Sequence, residues 1–174
     1  MNSMTPKQWA MSVLGGNAVI LDAETTGLGI SDQVIQISII DMQGRTLFDS
    51  LISPSCPISD GAAAVHGITE AILVGAPTFK DVHPQIVDIL TGKLIVTYNS
   101  DFDYRMLYQS SEARGVSTWW LERQRFACAM REYSRFVAEP RRGGGYKWQK
   151  LTGGDHSALG DCLATLEVIR RMAE

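Results

Sequence analysis

A chain of 174 residues, 45% hydrophobic and 20% charged, is the size of one soluble globular domain and can bury a core without disulfides or a structural metal. The formal net charge of −3 excludes a protein that grips nucleic acid through a global positive field, because sequence-independent affinity comes from Lys and Arg on phosphates. Cys56, Cys128 and Cys162 are scattered without zinc-ligand spacing, and no apolar run approaches a membrane span, so the expectation is a mature cytoplasmic chain with reduced thiols, no membrane partner and one domain over residues 1–174.

In chain order, Thr5-Pro6 followed by Trp9, Ala10, Val13 and Leu14 and stopped by Gly15-Gly16 predicts an appended N-terminal helix within residues 1–16. Residues 19–21 read as a buried strand. Side chains alternate along a strand, so Asp22 and Glu24 emerge on one face just past the apolar run. Two like charges held that close call for a cation, and Asp-x-Glu before a Thr25-Thr26-Gly27 turn is a candidate site for a hard divalent metal. Taken alone, the same residues also suit a solvated strand end. Residues 33–41, with Val34, Ile35, Ile37, Ile39 and Ile40, have the β-branched density of a central strand. Gly44 permits a reversal into a strand over 46–52, completing a three-strand antiparallel meander.

Pro54 and Pro57 end the meander, after which the period lengthens to that of helices: 59–65, 69–74 capped by Thr69, and 78–90 with Phe79, Val82, Ile86, Ile89 and Leu90 on one side. A strand over 93–98 and a helix over 101–112 follow. Residues 118–121 are an edge strand or a packed loop, and 128–137 are helical. A last helix over 157–172 carries Leu159, Cys162, Leu163, Leu166, Ile169 and Met172 as its buried stripe. Meander first, then strand and helix alternating, predicts one mixed α/β sheet with helices on both faces. Between the last two helices, residues 139–150 hold Pro140, three consecutive Gly, Arg141, Arg142, Lys147, Lys150, Tyr146 and Trp148. That composition predicts a mobile basic loop, either plain solvated surface or a flap that brings charge and stacking area to a nucleic-acid strand.

Two later junctions supply further carboxylates. Asp101 reads as a helix N-cap, and Asp103, within the first turn, can point back over the strand end. His156 stands at the start of the last helix, and Asp161 about one turn in, among Leu159, Cys162 and Leu163. Burying a carboxylate there is costly unless something such as a metal ion compensates it.

The ordered set Asp22-x-Glu24 with Thr25-Thr26-Gly27, Asn99-x-x-Phe102-Asp103 and His156-x-Ala158-x-x-Asp161 resembles the three exonuclease motifs of the DEDDh family of 3′-to-5′ exonucleases. This is the family of the proofreading epsilon subunit of bacterial DNA polymerase III. Val65-His66-Gly67-Ile68-Thr69 is similar to a further element of the family, so the resemblance runs from about residue 18 to the end. It implies a ribonuclease H-like fold and two divalent ions, Mg²⁺ or Mn²⁺. Asp22, Glu24 and Asp161 would hold the ion that activates water, Asp22 and Asp103 the second, and His156 would be the general base. Thr25, Leu28, His66, Asn99 and Phe102 match positions that bind the 3′-terminal nucleotide, although Phe102 also suits a core, His66 a turn cap and Leu28 ordinary packing.

The chain departs from the family in two places. Tyr98 stands where many members have His, which leaves the metal ligands untouched. Only Thr152-Gly153-Gly154-Asp155 separates Leu151 from His156, where relatives carry a longer insertion, so the loop bearing His156 is expected to be short and mobile. The expected activity is metal-dependent release of 5′-mononucleotides from nucleic-acid 3′ ends, single-stranded DNA favoured. An exoribonuclease and a polymerase-docking subunit are the alternatives, and a replicative polymerase is the expected protein partner.

Overall fold

The computed structural model describes residues 4–174. Thr5 caps helix α1 (Pro6–Leu14) in a reciprocal capping box with Gln8, and Gly15 closes it. Strands β1 (Ala18–Thr25), β2 (Val34–Asp41) and β3 (Thr46–Leu51) form the antiparallel meander expected from their β-branched runs. Helices α2 (Asp60–His66) and α3 (Phe79–Leu90) lead to strand β4 (Leu94–Thr97) and helix α4 (Ser100–Ala113). Strand β5 (Phe126–Cys128), α5 (Ala129–Val137) and α6 (Ala158–Ala173) complete the chain. The sheet order is β3-β2-β1-β4-β5, with β1, β4 and β5 parallel. β1 is therefore central, flanked by an antiparallel and a parallel neighbour.

Alternation along β1 divides the interior. Val19, Leu21 and Ala23 point into one core with Phe79, Val82, Ile86 and Leu90 of α3, Met106 and Leu107 of α4, and Trp120. Ala18 and Ile20 point into the other with α1, α5 and α6. Each fully buried Ile, Leu or Phe in these layers contributes about 2 kcal/mol. Asp22 and Glu24 continue the second face, at the end where α6 begins. Packing of the α3 stripe also carries that helix through its interior Pro84.

Several boundaries differ from the sequence expectation. Residues 69–74 form hydrogen-bonded turns and no helix: the Thr69 carbonyl accepts from Ile72 and Leu73, and the turn continues to Ala76. That segment contributes only Leu73 to a small satellite core with Ile35, Ile58 and Ile68, too little apolar surface to organise a helix. Asn99 occupies the N-cap position of α4, and Asp101 is an exposed first-turn residue paired with Arg123. Residues 118–121 are a packed loop, with buried Trp120 donating from Nε1 to the Ser117 carbonyl at 3.0 Å. The edge strand is instead Phe126–Cys128, in register with Ile95, Val96 and Thr97. Three residues are too few to show a period. Leu163, assigned to the buried stripe of α6, is exposed; Thr165 and Val168 are buried instead.

Candidate active site

Everything that β1 offers at its carboxyl end is registered by β2. Glu24 lies opposite Gln36, and the Gln36 side-chain oxygen accepts from the Ala158 backbone N–H at 3.1 Å, pinning the first residue of α6 beside β1. Ser157 caps α6 through the Gly160 N–H. One turn in, Asp161 joins Asp22 and Glu24, and one oxygen from each lies within 4.8 Å of the other two.

The short segment before α6 wraps around this carboxylate. Asp161 Oδ1 accepts from the backbone N–H of Asp155 at 3.1 Å and of His156 at 3.3 Å. Asp155 in turn accepts from the Ser157 N–H and hydroxyl at 3.0 and 2.6 Å. His156 is held with φ of 60°, a left-handed conformation uncommon for residues with a side chain. The short loop that carries His156 is thus hydrogen-bonded to Asp161 itself.

Asp103, in the first turn of α4, is 3% exposed. It stands outside the three-oxygen cluster but joins Asp22, Glu24, Asn99, Phe102, His156 and Asp161 in lining one concavity of about 210 Å³. Helix N-termini at Asp103 and Asp161 favour negative charge there. Burial opposes it. The Asp22 carboxyl is driven well above the usual range, first by burial and then by Asp103, Asp161 and Glu24. Burial and the charges of Asp161 and Asp103 push Glu24 up to about 7, burial pushes Asp103 up to about 7, and burial raises Asp161. None of the four forms an ion pair with a Lys or Arg among the described residues. Crowded carboxylates lacking cationic partners, with oxygen as their donor atom, fit a hard divalent cation.

The residues matched to nucleotide binding divide between two adjoining hollows. Thr25, Leu28, His66 and Phe102 line a second concavity of about 340 Å³, which shares Glu24 and Phe102 with the first. Asn99 lies in the carboxylate concavity instead. Leu28 is 78% exposed at the rim. The Thr25 hydroxyl donates to the Gly27 carbonyl at 2.8 Å, so it shapes the turn. His66 has both ring nitrogens committed: Nδ1 accepts from the Ile68 N–H at 3.0 Å, leaving Nε2 to donate to the Thr25 carbonyl at 3.1 Å. It ties the end of α2 to the end of β1 and presents ring carbon to the hollow. Arg105 braces the same turn by donating to the Leu28 and Gly29 carbonyls while lying over the Phe102 ring.

Sequence reasoning did not single out Gln36, Arg105 or Gly154. Gly154 is the sharpest case, because a Cβ there would run into Asp161 Oδ1 and lie 3.0 Å from its Cγ. Gly154→Ala is expected to displace the carboxylate and to weaken the affinity of the cluster for a divalent cation roughly 10–100-fold, as loss of a group supporting a ligand does. Calorimetric titration with Mn²⁺ is the check, and an unchanged affinity would contradict this role.

Comparison with known proteins agrees with this geometry. Residues 19–169 match the RNase_T family model, described as exonuclease. The chain is 35% identical to the uncharacterized exonuclease CP81 of Escherichia phage 186, covering 99% of this chain and 94% of that protein. It is 32% identical to the DNA polymerase III epsilon subunit of Buchnera aphidicola subsp. Acyrthosiphon pisum, over 54% of this chain and 44% of that protein. It spans only 12% of a PolC-type DNA polymerase III from Caldanaerobacter subterraneus. Among solved structures, exonuclease X in complex with 5′ overhanging duplex DNA superposes with a TM-score of 0.59 at 27% identity, over 90% of this chain and 92% of that one. The nuclease domain of the DEDDh member 3′hExo superposes at 0.58 with 16% identity, over 89% and 90%, a likeness of fold. Five mixed strands flanked by helices thus reproduce the ribonuclease H-like fold of these nucleases, and the chain belongs to the RNase_T exonuclease family.

Proposed function

We propose that the protein is a metal-dependent 3′-to-5′ exonuclease of DEDDh type that releases 5′-mononucleotides, with single-stranded DNA as its favoured substrate. The observation that carries this reading is the convergence of Asp22, Glu24, Asp103, His156 and Asp161, from β1, α4, a loop and α6, on one concavity. Asp22, Glu24 and Asp161 would hold one Mg²⁺ or Mn²⁺, and Asp22 with Asp103 a second. Bound divalent ions supply charge that polarises the phosphodiester and acidifies water. The His156 imidazole takes the proton from the attacking water as general base. Its backbone N–H on Asp161 couples the base to a metal ligand. The hollow lined by Leu28, His66 and Phe102 receives the terminal nucleoside, with Phe102 as a stacking face and Leu28 at its mouth. Likeness to polymerase III subunits supports a replicative polymerase as partner.

The test is digestion of a 5′-labelled DNA single strand. With Mg²⁺ or Mn²⁺ a ladder shortening from the 3′ end is expected, and with chelator or with Asp161→Ala none. Internal fragments, shortening from the 5′ end, or activity retained by folded Asp161→Ala would sink the proposal. Parallel digestion of mismatched duplex DNA and a short RNA ranks the substrates, and faster release from RNA would overturn the DNA preference.

A further inference from the structure

The basic segment 139–150 has no part in holding the metal or the terminal nucleotide, yet its shape and attachment are specific. Pro140 and Tyr146 bridge in antiparallel fashion around Gly143, Gly144 and Gly145, whose φ values of 97°, 101° and 73° only glycine adopts readily. The Lys147 N–H donates to the Glu139 carbonyl at 2.9 Å, closing the hairpin. The returning limb is then anchored: the Tyr98 hydroxyl donates to the Gln149 carbonyl at 2.7 Å, and the Gln149 N–H donates to the Ser134 hydroxyl at 3.3 Å. Tyr98 follows the last residue of β4 and precedes Asn99, so the hairpin is fastened to the same strand end that delivers Asp103.

The anchor places Trp148 and Lys150, on either side of Gln149, along a groove of about 600 Å³ that also includes Tyr98, Met130, His156 and Asp161. This groove meets the carboxylates from the His156 side, whereas the Phe102 hollow meets them from the Glu24 side. Trp148 is 56% exposed and Tyr146 45%. Arg141, Arg142 and Lys150 form no ion pair among the described residues. In a chain of net charge −3, three unneutralised cations and two exposed aromatics on one anchored hairpin beside an acidic centre match the chemistry of a nucleic-acid single strand, phosphates and stackable bases.

We propose that the 139–150 hairpin holds the single strand leading into the active site, with Trp148 stacking on a base, Arg141, Arg142 and Lys150 on phosphates, and Tyr98 as the positioning residue that fixes the hairpin. This rests on the exonuclease reading above.

The test compares a 12-nucleotide strand, as DNA and as RNA, with the p-nitrophenyl ester of thymidine 5′-monophosphate, a phosphodiester with no strand beyond one nucleotide. For Trp148→Ala, the ratio of kcat/KM on the strand to kcat/KM on the ester is expected to fall about tenfold or more, mainly through KM, for at least one strand type. The combined Arg141→Ala, Arg142→Ala and Lys150→Ala variant is expected to flatten the salt dependence of strand binding by about 2 in log–log slope, at roughly 0.7 per phosphate contact. Tyr98→Phe should lower the ratio in the same sense. Ratios and slopes within twofold of wild type on both strands, or strand and ester falling together, would overturn the proposal. Wild type that neither shortens the strand from its 3′ end nor releases p-nitrophenol from the ester in Mn²⁺ would instead overturn the exonuclease reading on which it stands.

Discussion

Asp22→Asn is expected to abolish nuclease activity and at the same time raise the melting temperature of the metal-free protein at pH 8. The opposite signs come from one cause. Asp22 is half-buried among Glu24, Asp103 and Asp161, and burial and those neighbours raise its pKa well above the ordinary range. Keeping it ionised without a cation therefore costs folding free energy, and an isosteric neutral amide removes that cost. In the proposed two-ion arrangement the same amide removes the one ligand that both ions would share. Metal ions supply several kcal/mol of transition-state charge stabilisation, and at about 1.4 kcal/mol per decade this corresponds to a loss of about 10³-fold or more in kcat/KM. Melting curves in chelator and single-turnover digestion in Mg²⁺ check both halves. A variant less stable than wild type in chelator, or one that keeps activity, would show that Asp22 is an ordinary structural carboxylate.

The stability of the whole protein should follow pH in an unusual direction when metal is removed. Glu24 and Asp103 titrate near 7 when folded, from ordinary values of 4.5 and 3.8. Between those limits the folded chain binds more protons than the unfolded one, so stability falls as pH rises and levels off above the folded values. The carboxylates with lowered values, Asp41, Asp81 and Asp155 among them, lose their stabilising effect only below the ordinary range, under this window. From pH 5 to pH 8 in chelator the melting temperature is expected to drop on the order of 5 °C. Saturating Mg²⁺ or Mn²⁺ restores it at pH 8 and does little at pH 5, because cation binding requires the deprotonated ligands and acts on the folded state alone. A melting temperature that is flat or rising over this range in chelator would remove the electrostatic basis of the site.

The paired acidic positions were legible in the sequence because their causes are local. A strand has period two, so Asp22 and Glu24 share a face whatever the rest of the chain does. Likewise the apolar stripes of α3 and α6 report burial through a helical period, although Leu163 matched the period of α6 and still faces solvent, because a stripe gives the direction of a core without its width. The short strand Phe126–Cys128 was illegible for the converse reason: its three residues are strand because β4 lies beside them.

What the sequence by itself determined is the inventory: three junctions carrying carboxylates, a histidine before the last helix, and a basic glycine-rich loop with two aromatics. Each follows from side-chain chemistry and a backbone period, which act over a few residues. Only the tertiary structure decided how these parts face one another. The Gln36 amide sets α6 against Glu24 across the sheet, Asp161 gathers the loop around Gly154 and His156, and Tyr98 fastens the hairpin to β4 across 51 positions of sequence. These are long-range hydrogen bonds and close approaches, and no period or propensity along the chain encodes which distant atom will be the partner.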